Sequence, residues 1–126
     1  MTILIVDDSR IMRNTVKGMF IGLGLSFTAV EASNGEEAIT LLEAFPIDLV
    51  LLDWNMPRLS GIEFLKIVRA KEKYKQLPII MVTSESAKFS VIEALKHGAT
   101  DYIIKPVNIG TVKEKLSKIP RFNGLI

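Results

Sequence analysis

Cysteine is missing from all 126 residues. Its absence excludes a disulfide framework and a thiolate metal site, and makes a reducing cytoplasm the expected compartment. Long hydrophobic runs are missing too, since the first apolar stretch, Thr2 to Val6, gives way at once to Asp7 and Asp8. That is too short for a secretory signal or a membrane span, so no membrane association is expected. Neither sign of charge dominates, with 16 Lys and Arg against 14 Asp and Glu and a net charge of +2. So small an excess gives no general drive toward nucleic acid, and the basic runs at 66–75 and 113–121 read as solvated helix faces. Repeats, low-complexity segments and linkers are also lacking. The expectation is one domain over residues 1–126, a monomer without an output module.

What the chain does have is apolar residue, 48% of the total, in short runs that alternate with amphipathic stretches. Ile3 to Val6, Phe27 to Val30, Leu49 to Leu52, Ile79 to Val82 and Tyr102 to Ile104 read as strands. Between and after them, helical spacing joins Met12, Val16, Met19 and Leu23, then Ala38, Leu41, Leu42 and Phe45, then Ile62, Leu65 and Val68. Val91 with Leu95, and Ile109, Val112, Leu116 and Ile119, mark two more helices. Ser33 with Glu36 suggests a capping box for the second helix, Pro46 its stop, and Gly98 the close of the fourth. Five strand and helix pairs with short links imply an α/β fold, a doubly wound five-stranded parallel sheet with five helices, because parallel neighbours need crossover helices.

In such a sheet, ligands sit beyond the carboxyl ends of the strands. Asp7 and Asp8 follow the first strand, Asp53 the third, Thr83 and Ser84 the fourth, and Lys105 the fifth. Read one at a time, Asp8 and Ser9 suit a helix N-cap and Asp53 a loop entry before Asn55, Met56 and Pro57. Their convergence on one rim argues for a site. Two carboxylates about 4 Å apart repel by roughly 4 kcal/mol at an effective dielectric of about 20, and a third worsens it. A hard divalent cation relieves the repulsion, and oxygen-only ligands favour magnesium. His97, in the last turn of the fourth helix, reads as a helix-end cation and not as a phosphoryl carrier.

The paired Asp7 and Asp8, the segment Asp53, Trp54, Asn55, Met56, Pro57 with Gly61, then Thr83, Tyr102, and Lys105 with Pro106 together resemble the receiver domain of bacterial two-component response regulators. The similarity runs the length of the chain and is greatest to the stand-alone chemotaxis members. It implies the flavodoxin-like strand order 2-1-3-4-5 and a phosphoryl group accepted by Asp53 from a histidine kinase. It also implies Mg2+ held by Asp8, Asp53 and the backbone carbonyl of Asn55, with Asp7 acting through water. Lys105 and Thr83 then contact the phosphoryl oxygens, Tyr102 moves inward with Thr83, and the Lys105–Pro106 peptide is cis. Asn55 and Glu85 stand where relatives tune the lifetime of the phosphorylated state. Ser84 departs mildly from the smaller residue common there.

The resemblance further implies a switch and not a turnover enzyme, limited to its own phosphorylation and dephosphorylation. Its partner surface takes in Lys88, Tyr102 and Lys115, and its target is a flagellar motor switch protein or another phospho-dependent protein. A phosphorelay intermediate serving a histidine phosphotransfer protein is the alternative. A flavodoxin-like electron carrier is disfavoured, because two acidic residues stand where its phosphate loop belongs. An aspartyl-phosphate hydrolase is disfavoured too, because Asn55 stands where its second acid belongs.

Overall fold

The computed structural model describes residues 1–84 and 88–125, the side chains of Lys88 and Phe89 excepted. Five strands, β1 (Thr2–Val6), β2 (Thr28–Ala32), β3 (Leu49–Leu52), β4 (Ile79–Thr83) and β5 (Asp101–Ile104), alternate with five helices. The helices are α1 (Arg10–Gly22), α2 (Gly35–Ala44), α3 (Gly61–Arg69), α4 (Lys88–Lys96) and α5 (Ile109–Ser117), and a single 3-10 turn (Glu72–Tyr74) precedes β4. Every strand pair is parallel and the order is β2-β1-β3-β4-β5. The chain therefore crosses from β2, beyond β1, to β3 on the other side, and this reversal places the switch point between β1 and β3.

Strand alternation splits the apolar residues into two cores. Leu4, Val6, Val50, Leu52, Ile79 and Met81 face α2, α3 and α4, with Phe64, Leu65 and Val68 packed against them. Ile3, Ile5, Leu49, Leu51, Ile80 and Val82 face α1 and α5, with Phe20, Val112 and Leu116 against them. All of β3 and β4 is buried, which is why Leu49 to Leu52 and Ile79 to Val82 read as unbroken apolar runs with no polar face. Each such side chain taken fully from water contributes roughly 1.5–3 kcal/mol, so the middle of the sheet is its most firmly held part. Edge strand β2 is half-buried and carries Thr28 and Glu31.

Local details shift by a residue or a turn. β2 starts at Thr28 and not Phe27; Phe27 leaves the ladder to set its ring edge-on to Phe20, centroids 5.6 Å apart. The cap of α2 is Asn34, whose side chain accepts from the Glu37 amide at 2.9 Å, while the Glu37 carboxylate accepts from the Ser33 amide at 3.2 Å. The expected Ser33 and Glu36 box is thus displaced by one position, and a complete box forms instead between Ser60 and Glu63 at the start of α3. Phe45, Leu95 and Ile109, expected inside, are 47%, 46% and 44% exposed. Among the described residues of α4 the buried positions are the smaller Ser90 and Ala94, which let the helix lie close to the sheet and turn Leu95 outward. Phe20, Phe64 and Phe122, outside the expected stripes, are among the largest fully buried side chains.

Candidate functional site

The rim at the carboxyl ends of the strands is built from backbone hydrogen bonds that outlast the strands themselves. The Asp7 amide donates to the Ala32 carbonyl at 3.1 Å, Asp53 to Val6 at 2.9 Å and Lys105 to Thr83 at 2.8 Å. Each of these three residues is therefore fixed at its backbone, one position past its strand. Asp7 is buried, and its carboxylate accepts from the Ser9 amide at 2.8 Å. Its carbonyl accepts from Arg13 Nη1 at 2.6 Å. Arg13 is in turn paired to Glu31 at 2.9 Å, so α1 and β2 together hold the turn. Ser9 is the N-cap of α1, accepting from the Met12 amide. That takes the capping role from Asp8, which is exposed and leaves its carboxylate to the rim.

Asp53 is 7% exposed, and one carboxylate oxygen accepts from the Trp54 amide at 2.8 Å. The following loop returns closely: the Gly61 amide donates to the Trp54 carbonyl at 2.9 Å, and a Cβ at Gly61 would come within 2.3 Å of the Asp53 carbonyl oxygen. Only glycine fits there. Arg58 in the same loop has φ of 69°, a conformation that costs a non-glycine residue about 1–3 kcal/mol. Trp54 is half-buried and packs on the α2–α3–α4 core, and Asn55 is exposed.

Ligand oxygens of Asp7, Asp8 and Asp53 lie within 4.8 Å of one another. Lys105 Nζ reaches across from the fifth strand, 2.9 Å from Asp7 Oδ2 and 3.6 Å from Asp53 Oδ2. Burial raises the Asp53 pKa above its ordinary value, and the Asp7 charge adds to the rise. Lys105, a hydrogen bond from the fully buried Thr83 side chain and the Trp54 amide pull the other way. Three anionic groups against one ammonium leave the pocket short of positive charge. The donor set is carboxylate oxygen, hard and anionic, which suits a small divalent cation, so the residues fit the magnesium expected from the sequence.

Of the other expected positions, Tyr102 is buried on the α2–α3–α4 side of β5. The Lys105–Pro106 peptide is cis. Lys115 lies away from the pocket, paired at 3.0 Å to Asp101 at the opposite end of β5. Glu85 and the Lys88 side chain lie outside the described residues. His97 pairs with Glu93 one turn back at 2.8 Å. Arg13 was not singled out from the sequence; the signal available was an arginine one turn into the helix that follows Asp7, Asp8 and Ser9.

An α/β sandwich of this order, with an acidic trio, a hydroxyl and a lysine at its switch point, defines the receiver class, and residues 3–117 match the family model described as "Response regulator receiver domain". The chain belongs to that family. Among its relatives, "Chemotaxis protein CheY" of Pseudomonas aeruginosa is 43% identical over 98% of this chain and 100% of its own length. "Chemotaxis protein CheY-3" of Vibrio cholerae is 45% identical over 94% and 91%. Among solved structures, the CheX-CheY-BeF3-Mg+2 complex from Borrelia burgdorferi superposes with a TM-score of 0.85 at 28% identity, covering 94% of this chain and 87% of that one.

Proposed function

We propose that this chain is a phosphorylation-activated switch in chemotaxis signalling, in which Asp53 accepts a phosphoryl group from a sensor histidine kinase and the phosphorylated form binds a flagellar motor switch protein or a similar target. The observation that carries the reading is the Asp53 carboxylate, with Asp7 and Asp8 oxygens within 4.8 Å and Lys105 at 3.6 Å. Relatives named as chemotaxis proteins at 43–45% identity support the pathway.

In the proposed reaction an Asp53 oxygen attacks the phosphorus of a phosphohistidine, the N–P bond breaks, and its electron pair returns to the imidazole. The product is an acyl phosphate on Asp53. Lys105 Nζ, poised between Asp7 and Asp53, moves to the transferring oxygens, where it offsets their charge. Magnesium held by Asp8, Asp53 and the Asn55 carbonyl, with Asp7 through water, would supply the remaining positive charge. Asp53 serves as nucleophile, so its burial and hydrogen bonds orient it and keep water from the acyl phosphate. The chain turns over no external substrate in this reading. It acts only in its own phosphorylation and dephosphorylation, in the cytoplasm.

Switching follows from the new charge. Thr83 and Lys105 can each gain a charge-assisted hydrogen bond worth roughly 1.5–3 kcal/mol. Two of these approach the roughly 5.5 kcal/mol that carries a two-state equilibrium from 1:99 to 99:1. Thr83 ends β4 and Tyr102 lies beside Met81 in β5, so displacement of Thr83 toward the phosphoryl group opens space on the Tyr102 side. The readout surface in this proposal is α4, β5 and α5, Lys115 included, where Ile92, Leu95 and Ile104 are exposed, apolar side chains suited to a protein partner.

The test is intact mass after incubation with acetyl phosphate and magnesium. One phosphoryl group on the native chain and none on an Asp53→Asn variant is the expected result; equal labelling of both would move the acceptor elsewhere and defeat the proposal.

A further inference from the structure

At the amino ends of the strands, remote from Asp53, α3, α4 and α5 end around an open cleft of about 830 Å³. Lys66 and Arg69 enter it from the last turn of α3, Lys75 from the end of the 3-10 turn, Lys96 from the last turn of α4, and Lys118 from the end of α5. No carboxylate lines it among the described residues. A chain with net charge +2 from 16 cations and 14 anions has thus placed five cations in one concavity. Lys75 and Lys118 have carboxylate neighbours outside the cleft, Glu72 at 3.9 Å and Glu114 at 3.4 Å, whose side chains are 91% and 61% exposed. Such pairs are weak and salt-screened. Arg69 gives its donors to the carbonyls of Gly98 and Tyr74, at 2.9 and 2.6 Å, and to the Thr100 hydroxyl at 3.4 Å. No ion pair engages Lys66 or Lys96 among the described residues.

The bland explanation is that basic residues gather at helix ends to meet the negative pole of the helix dipole. Three helix C-termini supply about half a negative charge each, roughly 1.5 in all. Five cations exceed that several-fold, so the dipoles account for only part of the cluster. The remainder is positive charge held in water, which a bound anion would offset. A concavity in the 300–1,000 Å³ range of small-molecule sites suits a compact ligand of high charge density. Nucleic acid tracking and acidic peptide docking would instead call for a basic stripe or groove. Leu77, Pro78, Ile119 and Pro120 add an apolar wall beside the cations.

We propose that this cleft binds a small polyphosphate anion, a chain of three or more phosphate groups either free or carried on a nucleoside. Calorimetric titration of the intact chain tests it, with inorganic tripolyphosphate in one arm and ATP in the other. EDTA is included so that no metal can bridge phosphate to the acidic rim, and amide NMR shifts map the site. One saturable site is expected, with shifts at Ala70, Gly98 and Thr100, affinity falling as salt rises, and at least tenfold weaker binding in a Lys66→Gln/Lys96→Gln variant. Both substituted side chains are exposed, so the fold is retained. Lys113→Gln, which removes an exposed charge from α5, should change affinity less than threefold. Equal affinity for the two probes identifies the phosphate chain as the ligand, and tighter ATP binding assigns the apolar wall to the base. No saturable binding of either probe, unchanged affinity in the double variant, shifts at another surface, or binding of an acidic peptide but not of tripolyphosphate would overturn the proposal.

Discussion

The two ends of the sheet carry opposite charge and differ in how that charge is held. At the carboxyl end Asp7 and Asp53 are buried, tied by ladder hydrogen bonds and matched against one lysine at 2.9 and 3.6 Å. At the amino end the lysines stand mostly in water around an open cleft, on flexible stems at helix ends. Equal charges in the two settings have unequal energies, because a pair 4 Å apart is worth about 1 kcal/mol in water and about 4 at an effective dielectric of 20. The buried rim suits chemistry that depends on placement. The exposed rim is suited only to attraction.

Substitutions at the two ends should differ accordingly. The largest effect is expected from Asp53→Asn, which removes the proposed nucleophile and should reduce phosphoryl labelling from acetyl phosphate below detection in intact mass spectra. Lys105→Ala leaves two buried carboxylates facing each other without their cation, and urea unfolding should show a loss of about 3 kcal/mol. Millimolar magnesium should recover much of that loss, since it stands in for the missing charge. A matching Lys96→Ala change at the other end should cost under about 0.5 kcal/mol, and a comparable loss at both ends would erase the contrast between them.

Gly61→Ala tests the shape of the carboxyl rim apart from its charge. The added methyl would strike the Asp53 carbonyl, so destabilisation of about 1–3 kcal/mol and slower labelling are expected. Glu31→Gln is a smaller change than Gly61→Ala. The folded state holds the Glu31 carboxyl below its ordinary 4.5 through its hydrogen bond to Lys17, then Arg13, against the opposing effect of burial. Its contribution is therefore full above that value and is lost as pH falls through the lower folded one. A deficit of about 0.5–1 kcal/mol in the variant at pH 7, vanishing toward pH 2, should appear in denaturation curves taken across that range. Trp54 offers an optical check, since its amide is bonded to Asp53; adding magnesium should change its fluorescence, and Asp53→Asn should weaken that response.

Fold and acidic rim were largely legible in the sequence because burial on two faces leaves an unmistakable mark. Leu49 to Leu52 and Ile79 to Val82 carry no polar residue, and the first polar groups after them are the ones that matter. Boundaries were less legible where two neighbours compete for one role. Ser33 and Asn34 can both cap, and Asn34 prevails because Glu37 can then reach back to the Ser33 amide. Leu95 has the spacing of a core residue, yet the small Ser90 and Ala94 take the inner face, a choice that depends on how near the sheet lies and not on hydrophobicity. Arg13 escaped notice because its task is to hold a main-chain oxygen, and no pattern of side chains announces that. The amino-end cleft escaped it as well, since Lys66, Lys96 and Lys118 are distant in sequence and each looks like an ordinary helix-end lysine.

Because the amides of Asp7, Asp53 and Lys105 each continue the ladder one step beyond its strand, the main chain at these three positions is held in part by bonds that need none of their side chains. An exchange of any one of those side chains leaves these three main-chain bonds in place. Descendants of such a gene could thus retune or silence the proposed reaction by single codon changes and still inherit the same strand ends.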